Sequence, residues 1–370
     1  MARYRSSVLR MSKVRVAIVG CGYWGLHLMR NFAEVKEAEV RAACDFDLAA
    51  LARIKRRYPA VDLQSRYEDI ISDAGIDAVV IATPASTHYP FARTALLAGK
   101  HVLVEKPMAT SAGQGLDLIE LAKRQNRTLM VDQTFVYTGA VRHIRGLIDA
   151  QELGEVLYFD FARTGPGLAH SDINVLWDLG AHDFSILNYL CDRDPISVSA
   201  TGVKHLGSPI ENIAYVSVRF DGNLLAHFHF NWLTPMKVRR ALIGGSKKTV
   251  IYDDLETNEK VKIYDKRVGM DHDSEHREQL LSGYRDGDIL APNLDTSEAL
   301  RAMASDFVRA IAENRPPVSD GTAGYRVVRL LEAAQCSMAQ DGRPVDVGPS
   351  VMSSKERTAS GAAPFATLTL

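Results

Sequence analysis

A chain of 370 residues is too long for one typical domain and long enough for two. Hydrophobic residues make up 46% of it and charged residues 24%, a globular balance that argues against wholesale disorder. The formal net charge of −1 gives the chain no overall electrostatic attraction for nucleic acid or for an anionic membrane surface.

The first third of the chain alternates short apolar runs with helical patterns. This alternation predicts βαβ units and a parallel sheet with helices on both faces. The strands are predicted at residues 14–19, 40–44, 77–82, 101–104 and 128–131. The helices between them are predicted at residues 24–34, 48–58, 89–98 and 113–124.

The pattern changes near Phe135, where strands separated by glycine turns predict a mainly antiparallel open sheet. These strands are predicted at residues 155–163, 196–204, 214–220, 224–232, 238–243, 249–252 and 260–264. Helices are predicted at residues 177–190, 297–313 and 324–339. We therefore expect an α/β domain over residues 13–134, an α+β domain over residues 135–348, and flexible tails at residues 1–12 and 351–370.

The four cysteines are widely spaced and form no C-x-x-C pair, which favours free thiols over a zinc site or a disulfide framework. The basic N-terminus lacks the apolar segment of a secretory signal, and no apolar run is long enough to span a membrane. These features predict a cytoplasmic protein.

A glycine motif, G-x-G-x-x-G, directly follows the first predicted strand. Gly20 permits a tight turn, Gly22 lets the backbone approach a pyrophosphate, and Gly25 lets the next helix pack close to the sheet. Unpaired N–H groups at the start of that helix can bind phosphate oxygens. Because a strand precedes the motif and a helix follows it, we predict a dinucleotide site in a Rossmann domain rather than a bare glycine turn.

Asp45 lies at the end of the second predicted strand. A carboxylate at this point of a dinucleotide site can accept hydrogen bonds from the ribose hydroxyls and repels a 2′-phosphate. The sequence therefore predicts NAD as the cofactor, with NADP disfavoured.

Further motifs follow in order: ATP at residues 82–84, TH at 87–88, EKP at 105–107 and WDLGAHD at 177–183. Together with the glycine motif, they resemble the glucose-fructose oxidoreductase / inositol dehydrogenase (Gfo/Idh/MocA) family over residues 14 to 347. Three features resemble members near nucleotide-sugar dehydrogenases and ketoreductases: the Tyr23-Trp24 pair, RRALIGG at 239–245 and YDD at 252–254.

This resemblance implies NAD(P)-dependent hydride transfer at a hydroxyl or ketone carbon of a sugar or nucleotide sugar, such as a UDP- or dTDP-hexose. It leaves open an inositol or free-sugar dehydrogenase. Alternatives of another class are a glycosidase that uses bound NAD and a regulator that binds a dinucleotide without catalysis. The sequence does not name the substrate, the reacting carbon or the physiological direction.

The resemblance places catalytic groups at Lys106 and His182, with Asp178 as their acidic companion. A lysine or histidine can pass the proton that accompanies hydride transfer. Asp178 and His182 are four residues apart in a predicted helix and should share one face. The division of roles between Lys106 and His182 stays open. The resemblance also implies cofactor contacts from Tyr23, Trp24, Thr83, Pro84, His88, Glu105, Lys106 and Gln133.

Polarity and placement suggest substrate contacts at Arg163, Asn174 and Arg239, in addition to Asp178 and His182. The two arginines could bind a diphosphate through their guanidinium forks or could form ordinary salt bridges.

His227 and His229 alternate along a strand and point to one face, but no third ligand is evident and no metal is expected. Alternating apolar residues in the second sheet, including Val216, Val218 and Phe228, suggest a face that needs a partner layer. Since family members commonly pair through this sheet, we expect a homodimer or homotetramer.

Overall fold

A computed structural model describes residues 13–167, 173–265 and 287–348. The described residues divide into two compact units: the first holds residues 13–105 together with Leu116–Asp132 and Leu300–Gly321, and the second holds the other described residues. The division is interleaved along the chain, so the predicted boundary between residues 134 and 135 stays a prediction. The predicted tails lie outside the described residues.

The first unit contains a six-stranded sheet in the order β3-β2-β1-β4-β5-β6, with every strand pair parallel. Its strands are β1 (Val14–Val19), β2 (Ala38–Cys44), β3 (Asp62–Gln64), β4 (Ala78–Ile81), β5 (His101–Val104) and β6 (Leu129–Val131). All four residues of β4 are buried, as expected for a central strand covered on both faces. This strand order is that of a dinucleotide-binding Rossmann sheet, and the predicted α/β class is confirmed.

The helices of the described residues are α1 (Tyr23–Glu34), α2 (Leu48–Arg57), α3 (Tyr67–Ser72), α4 (Ala85–Leu97), α5 (Ala112–Gln125), α6 (Gly139–Asp149), α7 (Ala181–Leu190), α8 (Ala299–Glu313) and α9 (Gly321–Met338). None of these is long and apolar enough to cross a membrane. In the first unit, Phe32 of α1 packs edge-on against Phe307 of α8, with ring centroids 6.2 Å apart. Residues 300–321 therefore belong to the core of this unit although they are distant in sequence.

The second unit contains a nine-stranded sheet in the order β14-β13-β12-β11-β7-β10-β9-β8-β15. Its strands are β7 (Val156–Thr164), β8 (Pro195–Val203), β9 (Ile213–Phe220), β10 (Leu225–Asn231), β11 (Val238–Gly245), β12 (Thr249–Asp253), β13 (Val261–Tyr264), β14 (Ile289–Leu290) and β15 (Val345–Asp346). The central pair β7 and β10 is parallel and the other pairs are antiparallel. The predicted mainly antiparallel sheet is confirmed.

One prediction about this sheet is wrong. Val216, Val218 and Phe228 do not await a partner layer: they are buried in the hydrophobic core of the unit itself. Phe228, for example, packs edge-on against Phe184 of α7 at 4.8 Å between ring centroids. The alternation along the strands is as predicted, but helices of the same unit cover the apolar face.

Candidate functional site

The glycine motif forms the turn between β1 and α1. Gly20 has φ +92°, and a Cβ on it would lie 2.4 Å from the carbonyl oxygen of Ala82. A Cβ on Gly25 would lie 1.8 Å from the carbonyl oxygen of Gly20. Gly22 differs, because a Cβ there would meet nothing within 4 Å. The first and third glycines are thus required by the fold, while the second leaves open space beside the helix N-terminus.

The start of α1 suits an anion. No side chain caps this helix at Gly22, and its first turn contains no acidic residue. Backbone N–H groups at such a terminus favour phosphate oxygens. The open space at Gly22 and the uncapped N-terminus therefore fit the pyrophosphate of a dinucleotide.

Asp45 follows β2 and lies beside the glycine turn. Its Oδ2 accepts a hydrogen bond from the backbone N–H of Cys21 (2.6 Å), and its Oδ1 accepts one from the N–H of Asp47 (2.8 Å). The carboxylate is partly exposed. These bonds hold the charge at the carboxyl end of the sheet, where the ribose of a dinucleotide binds in this fold.

The loop after β4 is held by side chains of the first turn of α4. The imidazole Nε2 of His88, which is buried, lies 2.8 Å from the carbonyl oxygen of Thr83. The hydroxyl oxygens of Thr83 and Thr87 are 2.6 Å apart, and Pro84 directly precedes α4. His88 therefore fixes the backbone of this loop.

The remaining cofactor candidates fall at strand ends or at the start of α1. Glu105 follows β5 and is buried, and Gln133 follows β6 and is also buried. Tyr23 and Trp24 open α1 and are 73% and 46% exposed. Aromatic side chains so exposed beside the glycine turn are available to a ligand.

Lys106 and Asp178 form an ion pair in the second unit. The ammonium Nζ of Lys106 lies 3.0 Å from Oδ1 of Asp178 and also donates to the carbonyl oxygen of Asp178 at 2.9 Å. Trp232 donates from its indole Nε1 to Oδ2 of the same carboxylate at 3.3 Å. The side chains of Lys106 and Asp178 are only 14% and 17% exposed. The peptide bond between Lys106 and Pro107 is cis.

The helix predicted to carry Asp178 and His182 is not a continuous α-helix. Leu176–Gly180 form a π-helical turn, and α7 begins at Ala181. A π-helical turn is wider than an α-helical one, and such turns are frequent at functional sites. The spacing between Asp178 and His182 therefore departs from the one that α-helical periodicity predicts.

The side chain of His182 is partly buried and lies among positive charges. Burial lowers the pKa of its imidazole well below 6.5, and the charges of Lys106, Arg163 and Arg239 lower it further. Its ring contacts that of Phe135 in a T-shaped arrangement, with centroids 5.1 Å apart and an interplanar angle of 73°. The imidazole is therefore neutral near pH 7 and can accept a proton.

The three further substrate candidates are all engaged with protein partners. Arg163 is buried and pairs with Asp183, while Arg239 donates to Oδ2 of Asp254 at 3.1 Å. The Nδ2 of Asn174 donates to Glu211 (2.8 Å) and Gln335 (2.7 Å), and its Oδ1 accepts from the N–H of Trp177 (3.2 Å). Of the two roles that the sequence leaves open for the arginines, the structure shows the salt bridges.

Two residues that contact this cluster are missing from the sequence-based prediction: Phe135 and Trp232. Each contacts its partner, His182 or Asp178, across about fifty residues of chain, so no local pattern reports the contact. The sequence predicts Trp232 as the last residue of a strand, whereas β10 ends at Asn231, and the hydrogen bond of Trp232 is not predicted. Within the described ranges, no group of three or more His, Cys, Asp or Glu side chains is arranged to hold a metal ion.

Comparison with known proteins identifies the family. The model of the GFO/IDH/MocA oxidoreductase family, with its NAD-binding Rossmann fold, matches residues 14–133, and the model of the GFO/IDH/MocA C-terminal domain matches residues 141–251. UDP-N-acetylglucosamine 3-dehydrogenase of Acidithiobacillus ferrooxidans is 28% identical over 334 residues, covering 89% of this chain and 98% of that protein.

Two further similarities agree. The dTDP-3,4-didehydro-2,6-dideoxy-alpha-D-glucose 3-reductase of Saccharopolyspora spinosa is 31% identical over 247 residues, covering 64% of this chain and 74% of the reductase. A solved structure of the Acidithiobacillus ferrooxidans dehydrogenase shares the fold with a TM-score of 0.76 at 24% identity, over 90% of this chain and all of that one. The glycine motif, the lysine and histidine segments and the two sheets occur in the order that these relatives explain. The chain belongs to the Gfo/Idh/MocA family of NAD(P)-dependent oxidoreductases.

Proposed function

We propose that this protein is a nucleotide-sugar dehydrogenase or ketoreductase that uses NAD(H) and acts on the hydroxyl or ketone at C3 of a UDP- or dTDP-hexose. The observation that carries the proposal is the Lys106–Asp178 ion pair, held by Trp232, with the neutral imidazole of His182 in the same unit. The two curated relatives described above act on a UDP-sugar and a dTDP-sugar, and both are named for position 3.

Oxidation of a secondary alcohol releases a hydride and a proton. When bound, NAD accepts the hydride at its nicotinamide ring. The proton must go to a base, and the neutral His182 can accept it. The ammonium of Lys106, oriented by Asp178, can donate a hydrogen bond to the substrate oxygen and stabilise the negative charge that develops there. In the reverse direction, the same groups return the proton to the alkoxide oxygen.

The test is a screen of UDP-N-acetylglucosamine, other UDP- and dTDP-hexoses, free hexoses and inositols with NAD, followed at the absorbance of reduced nicotinamide. We expect net NADH formation with a nucleotide sugar. Turnover of free hexoses or inositols alone would favour the inositol or free-sugar dehydrogenase. Glycoside cleavage without net NADH would favour the NAD-dependent glycosidase, and NAD binding without any turnover would favour a regulator.

Asp45 is proposed to select NAD over NADP, because its carboxylate binds ribose hydroxyls and repels a 2′-phosphate. Asp45→Asn keeps an oxygen acceptor for the N–H of Cys21 and removes the charge. We expect the wild type to bind NAD more tightly than NADP and the variant to narrow this preference, measured by titration with both dinucleotides. Asp47→Asn, which changes the carboxylate that caps α2 at the N–H of Ala49, is the matched control. Tighter binding of NADP by the wild type would refute the assignment.

The protein is also proposed to form homodimers or homotetramers through the outer face of the second sheet. This face carries exposed aromatic and apolar side chains, including Leu225 and Tyr215, and the ring of Tyr215 stacks on that of His229 with centroids 4.6 Å apart. Light scattering should report a mass of two or four chains at working concentration. A single-chain mass would overturn the proposal. A cytoplasmic location stays a prediction.

A further inference from the structure

The ring of Phe135 links His182 to two arginines. Phe135 lies in a short turn of helix at Thr134–Tyr137, and its ring makes a T-shaped contact with the His182 imidazole. The guanidinium carbon of Arg163 lies 4.5 Å from the centroid of this ring, and that of Arg239 lies 5.8 Å from it. A guanidinium within about 6 Å of an aromatic face is attracted to it. Phe135 is thereby held by both arginines while it contacts the imidazole.

The two arginines occupy an unfavourable arrangement by themselves. Arg163 of β7 and Arg239 of β11 are direct cross-strand partners, and like charges placed opposite each other repel. Each arginine is compensated by a carboxylate: Asp183 for Arg163 and Asp254 for Arg239. The arrangement therefore depends on those two acids.

The Arg163–Asp183 pair is the buried one, with side chains only 5% and 4% exposed. Both Nε (2.9 Å) and Nη2 (2.6 Å) of Arg163 donate to Oδ1 of Asp183. Asp183 is the residue directly after His182 on α7. Because the pair joins β7 to α7 at this point, it restrains the rotation of the helix that presents the imidazole.

A buried ion pair of this kind contributes little net stability, since desolvation offsets much of the attraction. Its position beside His182 is better explained if the ion pair orients the imidazole. We propose that Arg163 and Asp183 are positioning residues for His182 and act through the ring of Phe135. This proposal rests on the proposed function for its effect on catalysis, but its effect on the imidazole is independent of any substrate.

The charged groups around His182 lie on several elements of the second unit. They hold the imidazole neutral, because burial and three cations oppose its protonation while the nearest acids are already paired with those cations. The charged groups are Lys106, Arg163, Arg239, Asp178, Asp183 and Asp254, and Tyr252 donates from its hydroxyl to Asp254.

The test uses Phe135→Leu and the double variant Arg163→Met/Asp183→Leu, which replaces the ion pair by apolar groups and leaves no unpaired buried charge. The control is Arg15→Met/Asp77→Leu, which removes a more exposed Arg–Asp pair with two side-chain hydrogen bonds, in the first unit. Phe135→Tyr keeps the ring and should behave like the wild type. The readout is the His182 resonance in protein labelled at histidine with ¹³C, assigned with His182→Asn.

In the wild type and the control, the His182 resonance should keep its position between pH 8 and pH 6. In Phe135→Leu and in the Arg163/Asp183 variant, the His182 resonance should broaden or should change position as the pH falls from 8 to 6. Turnover of UDP-N-acetylglucosamine should fall roughly 10- to 100-fold, in kcat rather than in the Kd for NAD, as misplacement of a reacting group predicts.

An unchanged His182 resonance in both variants would overturn the proposal. Should the double variant fail to fold, Phe135→Leu against Phe135→Tyr decides the question alone. If the wild type turns over no sugar, the proposed function fails, and the resonance still decides whether these residues position the imidazole.

Discussion

Lys106→Met should lower turnover on a proven substrate by about 10²–10⁴-fold while leaving NAD affinity nearly unchanged, because an acid–base or charge-stabilising group is lost and the glycine turn is not touched. Single-turnover hydride transfer and NAD titration measure the two quantities separately. Lys248→Met, which removes an ion-paired lysine of the second unit far along the chain, serves as the control. Wild-type transfer rates in Lys106→Met would show that the ammonium has no part in the chemistry.

His182→Ala separates the two roles that the sequence leaves open. If His182 is the base, this variant should lose a similar factor, and the wild-type rate should hold as the pH falls through 6.5, because the pKa of the imidazole lies well below that value. If only Lys106→Met is slow, His182 orients the substrate. The double variant adds little to either single loss when the two residues act as one unit.

Gly22→Val should abolish NAD binding and leave the folded protein intact. The space next to Gly22 is open within 4 Å, and its φ of −73° suits any residue, so the fold tolerates the side chain. The valine then occupies the space proposed for the pyrophosphate. Calorimetric titration with NAD and thermal unfolding measure the two effects.

Gly25→Ala provides the contrast. The Cβ of the new alanine would overlap the carbonyl oxygen of Gly20, so we expect a destabilisation of about 1–3 kcal/mol or more, as overpacking typically costs.

NAD binding with wild-type affinity in Gly22→Val would contradict the assignment of the glycine turn.

The dinucleotide-binding unit could be predicted from the sequence because its determinants are local. The glycine turn joins two elements that are adjacent in sequence. Asp45, directly after the next strand, accepts a hydrogen bond from the N–H of Cys21 in this turn. The sequence predicts the bounds of individual helices less accurately. The helix α4 begins at Ala85, four residues before the predicted start, with Pro90 inside it, and α3 and α6 have no counterpart in the predicted elements. Proline and short length both weaken the periodic signal on which such predictions depend.

The Lys106–Asp178 contact could be anticipated only through the resemblance, since 72 residues separate the two side chains. The shared helical face proposed for Asp178 and His182 assumed α-helical spacing, and the π-helical turn alters it. Neither Phe135 nor Trp232 carried a signal, because an aromatic residue in a strand or turn is explained equally well by core packing.

What the sequence by itself determined is the pair of fold classes, the glycine turn and the acidic residue beside it, because periodicity and short-range backbone geometry follow from neighbouring residues. Tertiary structure alone decided which face of the second sheet is buried. Alternation divides the side chains of a strand into two faces, but it does not say which face the helices will cover. It also decided the partners of Arg163 and Arg239, since a guanidinium can bind a ligand's phosphate or a carboxylate of the protein, and only the folded chain brings Asp183 and Asp254 within reach.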